Sequence, residues 1–306
     1  MQAHGSLQNV SKAFAFTATI WLTACGGSGG SSISGSGSSG GGPAPVLAGT
    51  FTIFGASKHV VTSGSAGDNV FGAVDTVGNG FFADMGSTSP APSIFAFATA
   101  SSNGAVNGFF HAYAANGGNL GSGTTLVNGL ISGTVATVSG NTQASLTYTA
   151  SSFSNTATLV LDNPPQAKAT LAAAAGTYSA PSNTPLSGIS AIASGAWPNA
   201  SAATYTVTLS GTGSIQVTSS AGCAFTGTAT ADSTYNTFAL SLNAPAGCNG
   251  NSVTLNGLAI YLPRSGHASP LTGSALTNDA LVLELDDSIT SLSPQYALAM
   301  VATRTQ

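Results

Sequence analysis

Tyr205-Thr206-Val207-Thr208-Leu209 alternates apolar and hydroxyl-bearing side chains without a break. Period two puts alternate residues on opposite faces of an extended strand, so one face packs and the other meets water. The same signature recurs in Leu146-Thr147-Tyr148-Thr149, Phe238-Ala239-Leu240-Ser241-Leu242 and Leu281-Val282-Leu283-Glu284-Leu285. Turn-forming clusters punctuate these runs, among them Gly78-Asn79-Gly80, Asn116-Gly117-Gly118, Ser139-Gly140-Asn141 and Cys248-Asn249-Gly250-Asn251. A spacing of roughly 8–12 residues between such signals belongs to antiparallel sandwiches and barrels. The chain therefore reads as all-β, with a helix expected only within Ala167–Ala175.

A weak internal repeat extends this reading. Leu47-Ala48-Gly49-Thr50-Phe51-Thr52 returns as Ala174-Ala175-Gly176-Thr177-Tyr178-Ser179, and Ile131-Ser132-Gly133-Thr134-Val135 returns as Phe225-Thr226-Gly227-Thr228-Ala229. Each Gly-Thr-aromatic motif opens a β-rich block, and a glycine at a strand centre marks a bulge or a bend where a sheet curls. We expect two tandem small antiparallel barrels or curled sandwiches, at 46–163 and 176–306, with a linker at 164–175 that begins at Pro164-Pro165.

Composition narrows the function classes. The hydrophobic share of 42% over 306 residues is enough to build cores. Five Lys+Arg and nine Asp+Glu make only 5% of the chain charged, against about 25% in an ordinary domain. Five cations cannot form a nucleic-acid-binding stripe, and long solvated helices or coiled coils lack the charged faces they need. A net charge of −4 steers no partner.

The N-terminus carries the clearest address. Lys12 precedes a 12-residue apolar run, Ala13 to Ala24, too short to span a bilayer and suited to the core of an export signal. Leu22-Thr23-Ala24-Cys25 resembles the lipobox of bacterial lipoproteins, which implies cleavage before Cys25 and acylation of its thiol. The export signal is then 1–24, and its long, sparsely basic start predicts a translation start downstream of Met1. Gly26 to Pro45 is a Gly/Ser tether, with an r.m.s. reach of roughly 25 Å on random-coil scaling. It contains chance matches to G-x-G-x-x-G and G-x-S-x-G, but no strand or helix frames them as those motifs require. Gly26 in place of Asp after the lipidated cysteine implies, by resemblance to enterobacterial sorting, the outer membrane, on its periplasmic face or at the cell surface.

Removing Cys25 leaves Cys223 and Cys248 as an even pair in an exported chain, each after a glycine and on either side of a predicted hairpin from Phe225 to Leu242. A disulfide is expected; no histidine lies between or beside them to suggest a metal site. Catalytic candidates are few. His4 leaves with the signal peptide, His59 and His267 sit near turns, and His111 lies within a strand. Glu284, Asp286 and Asp287 form the one acidic cluster, and Glu284 and Asp286 share the polar parity of a strand whose other face is Leu281, Leu283 and Leu285. That parity predicts a solvated face. A glycosidase pair there would want sugar-stacking aromatics, and only Tyr296 is near in sequence. A hydrolytic centre would need His111 or His267 folded onto those carboxylates.

The lipobox, the tether, the Gly-Thr-aromatic openings and Gly222-Cys223-Ala224-Phe225-Thr226-Gly227-Thr228, followed by Asn236 and Cys248, together resemble a group of uncharacterised proteobacterial lipoproteins with small eight-stranded barrels. Asn107 to Gly118 is faintly similar to the barrel of transferrin-binding-protein-like surface lipoproteins, without their acidic residue before Gly117-Gly118. The resemblance implies location and barrel shape, and it brings no ligand residues. The expected function is a non-catalytic, membrane-anchored module without cofactor or metal. It would bind a small hydrophobic or neutral ligand, a glycan or a surface protein. A structural or adhesive surface module is the alternative, ahead of a hydrolase of cell-envelope glycans and an integral outer-membrane barrel.

Overall fold

A computed structural model of the chain describes residues 49–54, 69–74, 79–84, 93–100, 104–113, 126–150, 153–160, 167–180, 190–192, 204–220, 222–248, 252–267, 275–287 and 297–305. The export segment, Cys25, the tether, His4 and His59 lie outside the described residues. The fold is all-β, in two antiparallel sheets that belong to one compact unit, Gly42–Gln306.

The first sheet is a meander of β1 (Gly49–Phe54), β2 (Asn69–Val74), β3 (Asn79–Asp84), β4 (Ser93–Ala100), β5 (Ala105–Tyr113), β6 (Leu126–Val138), β7 (Asn141–Ala150) and β8 (Phe153–Val160). Each strand pairs with its neighbours in sequence, and β1 and β8 also come into contact. Period two decides the faces: Ile131, Val135, Ala144 and Leu146 are buried, while Leu130, Ser132 and Thr134 are exposed.

The second sheet contains β9 (Gly176–Ala180), β10 (Ser190–Ile192), β11 (Tyr205–Leu209), β12 (Ser214–Ser219), β13 (Ala224–Ala231), β14 (Thr237–Ala244), β15 (Val253–Leu262), β16 (Ala280–Asp286) and β17 (Ala297–Arg304). From β11 to β17 it runs as a meander, and β9 pairs with β11 on one side. The start of β17 pairs with β10, and its end pairs with β9 through Thr303↔Ser179 and Arg304↔Tyr178. That last pairing closes an eight-stranded barrel. Its interior is filled: Tyr178, Tyr205, Phe225 and Phe238 are each at most 1% exposed and pack with Leu283 and Met300 in one core. With these side chains filling the interior, a ligand site is to be sought at the ends or outer faces of the barrel.

The two Gly-Thr strands sit in matching local frames. Gly104 and Gly213 adopt φ of +81° and +93°, and each carbonyl accepts a 2.7 Å hydrogen bond, from Val135 N and Ala229 N respectively. Val106↔Gly133↔Leu146 in β5–β7 matches Ile215↔Gly227↔Leu242 in β12–β14. At Gly133 and Gly227 a Cβ would run into the carbonyl of the adjacent strand, Ser145 or Ser241, so the close approach demands glycine. Five strands precede β6 in its sheet and four precede β13. The match among the described residues spans three strands.

The helix is shorter than expected, a single turn α1 (Leu171–Ala174) whose N-cap Thr170 accepts a hydrogen bond from Ala173 N. Four residues cannot sustain themselves as a helix; Ala174 is buried, and the Tyr178 hydroxyl donates to the Ala174 carbonyl at 2.5 Å. The turn thus packs on the barrel end where β9 begins. Cys223, just before β13, is bonded to Cys248, just after β14, with Cα atoms 5.1 Å apart. Closing this 25-residue separation contributes about 3 kcal/mol on the chain-entropy estimate. The double variant Cys223→Ser/Cys248→Ser is expected to lose about that much in urea unfolding while keeping its β-sheet circular dichroism. An unchanged unfolding midpoint would show that the bridge does not constrain the unfolded chain.

Candidate functional site

Glu284 and Asp286 are where parity places them, on the outer face of β16, but that face is not solvated. Glu284 is 1% exposed, Asp286 0% and Asp287 5%. The correction has a tertiary cause. Leu258 and Ile260 on β15, Val282 on β16 and Val301 on β17 share that outer face and are buried too, and β3 of the first sheet contacts β15 and β16. Neither carboxylate oxygen of Glu284 has a hydrogen-bond partner. Burial pushes its pKa well above the ordinary value, so the neutral acid is the form the fold accommodates.

His111 is buried on β5, with Nδ1 2.7 Å from Asn128 Oδ1 and its ring edge-on to Phe109 at 5.6 Å. Burial lowers its pKa, and the Asn128 hydrogen bond and the charge of Asp287 act in the opposite direction. The structure thus brings His111 within electrostatic reach of Asp287. His267 lies near β15, hydrogen-bonded through Nδ1 to the Ser265 carbonyl. Among the described residues, no three His, Cys, Asp or Glu side chains are grouped to hold a metal ion.

A second ionic group, not foreseen from sequence, sits where the barrel closes. Arg304 Nη1 is 2.8 Å from Asp279 Oδ2, which also accepts from the Tyr261 hydroxyl at 2.8 Å. Arg304 Nη2 donates to the Ala173 carbonyl and to the Tyr178 hydroxyl, both at 2.8 Å, and the guanidinium carbon lies 5.3 and 5.8 Å from the Tyr178 and Tyr261 ring centroids. Asp279 Oδ1 accepts from Arg264 N at 2.9 Å. Burial alone would raise the Asp279 pKa, but the backbone bond from Arg264, the Tyr261 hydroxyl and the two arginines leave it lowered. Burial, reinforced by the hydrogen bond to Asp279, pushes Tyr261 up to about 12, so its hydroxyl remains a donor. The fusion of these residues was invisible in sequence because they come from β9, β15, β17 and the residue before β16. The available signal was scarcity: a chain with five Lys+Arg places all three of its described ones, Lys168, Arg264 and Arg304, around this end.

Two cavities of about 420 Å³ open here, within the ~300–1,000 Å³ range of small-molecule sites. One lies among Arg264, Asn278, Asp279, Arg304 and Thr305. The other separates the 167–173 segment from Asn236, Tyr261, Pro263 and His267. Its polar content is specific: Lys168 is exposed, while Asn236 is 2% exposed. Asn236 donates from Nδ2 to the Tyr261 carbonyl at 3.0 Å, and its Oδ1 is left without a partner. Such an orphan acceptor costs about 1–3 kcal/mol unless a donor reaches it. No protein-family model, curated protein or solved structure matches the chain.

The buried Glu284 gives a pH dependence of known sign. Its unfolded-state pKa is near 4.5 and its folded-state pKa well above that, so between the two the folded protein holds the extra proton and stability falls as pH rises. Glu284→Gln removes the titration while keeping the shape. The variant is expected to melt roughly 2–8 °C higher than wild type at pH 7.5, and the gap is expected to close at pH 4. An equal difference at both pH values would contradict an unpaired buried carboxyl.

Proposed function

We propose that the chain is an outer-membrane lipoprotein, anchored through Cys25, whose β region is a non-catalytic binding module with its ligand site at the cation-bearing end of the barrel where β17 meets β9. The observation that carries this reading is the convergence of Lys168, Arg264 and Arg304 with two cavities on Tyr261 and Asp279. A chain so poor in charge has few reasons to collect its cations at one place unless they hold the fold or meet a ligand. Arg304 is committed to the fold by its contacts with Asp279, Tyr178 and α1; Lys168 is exposed and lines the second cavity.

The polarity of the barrel supports a lipid anchor over an integral outer-membrane barrel. Its inside is apolar, whereas Thr206, Thr208, Gln216, Thr226 and Thr228 are exposed on its outside. Outer-membrane barrels have the reverse arrangement. The same uncharged face favours the second reading, a structural or adhesive module that meets glycans or proteins through β11–β13.

Anchoring is tested by Cys25→Ser, which is expected to abolish labelling by a fatty-acid probe and to release the protein from the membrane fraction; a variant that stays equally bound would refute it. Ligand binding is tested by melting the full chain against a panel of neutral sugars, sugar acids, amino acids and fatty acids. Compounds that raise Tm are expected to lose their effect in Ala173→Phe, which fills the second cavity from an exposed position. A panel without effect, or hits indifferent to that variant, would turn the reading towards the adhesive face.

A further inference from the structure

We infer that the contact of β3 with the outer face of β15 and β16 is a proton-dependent latch, closed while Glu284 is neutral and opened when that carboxyl ionises. The covered face is built to pack, yet it is incompletely satisfied. Leu258, Ile260, Val282 and Val301 are each at most 3% exposed there, and their burial favours the closed state. Among them sit three polar atoms without a partner: Oε1 and Oε2 of Glu284, and Oγ1 of Thr237, which stands opposite Ile260 in register. All three regain hydrogen bonds once water enters, so apolar packing holds the face closed against the demand of its own polar groups. Water is close. Ala239 on β14, opposite Leu258, is exposed, and Leu258 in turn pairs with Glu284, which puts the rim two strands, roughly 10 Å, from the carboxyl. Among the described residues no cation stands on this face to neutralise an ionised Glu284. Its neighbours in register are Leu258 on β15 and Ala299 on β17. Asp286 shares the face, Asp287 follows β16, and β3 ends in Asp84; His111 on β5 acts on Asp287. Tyr261 packs in the barrel core, and Arg304 shares the parity of the core residues Leu298, Met300 and Ala302. In water the carboxyl ionises near 4.5, whereas the covered group does so only well above that. Between the two values each pH unit shifts the equilibrium towards the open latch by up to about tenfold.

Thiol accessibility in the full chain tests the latch. Ile260→Cys places a thiol on the covered face, and Val207→Cys, at a fully buried position of the barrel core, reports opening of the barrel itself. Each is labelled with 4,4′-dipyridyl disulfide at pH 4 and pH 8, with and without Glu284→Gln, and read from the mass of the peptide that carries the cysteine. Comparison with the Gln counterpart at the same pH cancels the titration of the thiol. At pH 8 Ile260→Cys is expected to react at least tenfold faster than Ile260→Cys/Glu284→Gln, and at pH 4 the two rates are expected to agree. Val207→Cys is expected to show no such difference at either pH. Val282→Cys, opposite Ile260 in register, is a second probe of the same face should the first substitution disturb the packing. Equal rates with and without Glu284→Gln at pH 8 would overturn the inference, whether both are fast or both slow. Acceleration of Val207→Cys in step with Ile260→Cys would also overturn it, since the carboxyl would then loosen the whole barrel and not the latch.

Discussion

Closure of the barrel depends on one short seam. β17 meets β9 through only Thr303↔Ser179 and Arg304↔Tyr178, and without it the sheet would end in two open edges with unpaired backbone groups. A ladder this short gives little stability by itself. The Arg304 side chain extends the seam: it reaches back across a sequence separation of 126 to Tyr178, to the carbonyl of Ala173 and to Asp279. The guanidinium suits the task because its planar fork can serve several acceptors at once and its face can lie against aromatic rings. Burial works against its charge, yet the Tyr178 hydrogen bond and the fields of Tyr178, Tyr261 and Asp279 outweigh that and raise its pKa. The cost left over is Nε, buried without a partner.

A seam made by the last strand has a kinetic consequence. β11 to β17 can pair hairpin by hairpin, each with its sequence neighbour, but closure must join residues 176–180 to 303–304. Loop-closure entropy makes this the late, slow contact. Until it forms, β9 has β11 on one side alone and α1 lacks the Arg304 contact that holds its carbonyl. The disulfide acts on the other end of β13 and β14, leaving the closing end dependent on side-chain contacts.

How much of this could be read from sequence follows from the range of each interaction. Alternation in Tyr205–Leu209 fixes which side chains point inward because strand geometry is local, and the buried-exposed pattern of β11 follows it without exception. The cysteine pair was readable from parity of number and the flanking turns. Glu284 was readable only in part: its face is a matter of period two, but its burial depends on the outer layer over β15 and β16, and no periodicity encodes that. Arg304, Asp279, Tyr178 and Tyr261 were not readable as a group, since each lies at a strand end or turn with an unremarkable local pattern. The glycine pairs fall between. Gly133 and Gly227 announced a special backbone, and only the register revealed that each makes room for a neighbouring carbonyl.

Scarcity of charge changes how each remaining charge is to be weighed. In a surface rich in Lys and Glu, an ion pair at a loop contributes about 0–1 kcal/mol and carries little information. Here the described cations gather at one barrel end, and Glu284 and Asp286 lie buried on the outer face of β16 with Asp287 buried just after it. The first group does two kinds of work with the same residue types: Arg304 spends its hydrogen bonds on the fold, while Lys168, exposed and lining the second cavity, has no such commitment to α1 or the seam in the contacts described. Within the second group Glu284 works against stability at neutral pH, since it is held without a hydrogen bond where an apolar residue would pack at no electrostatic cost. A fold that accommodates an orphan carboxyl on one face and an orphan amide oxygen beside a cavity is not tuned for stability alone. Of the two residues, only Asn236 lines a space large enough for a ligand, and that is the physical ground for placing recognition at the closed end of the barrel.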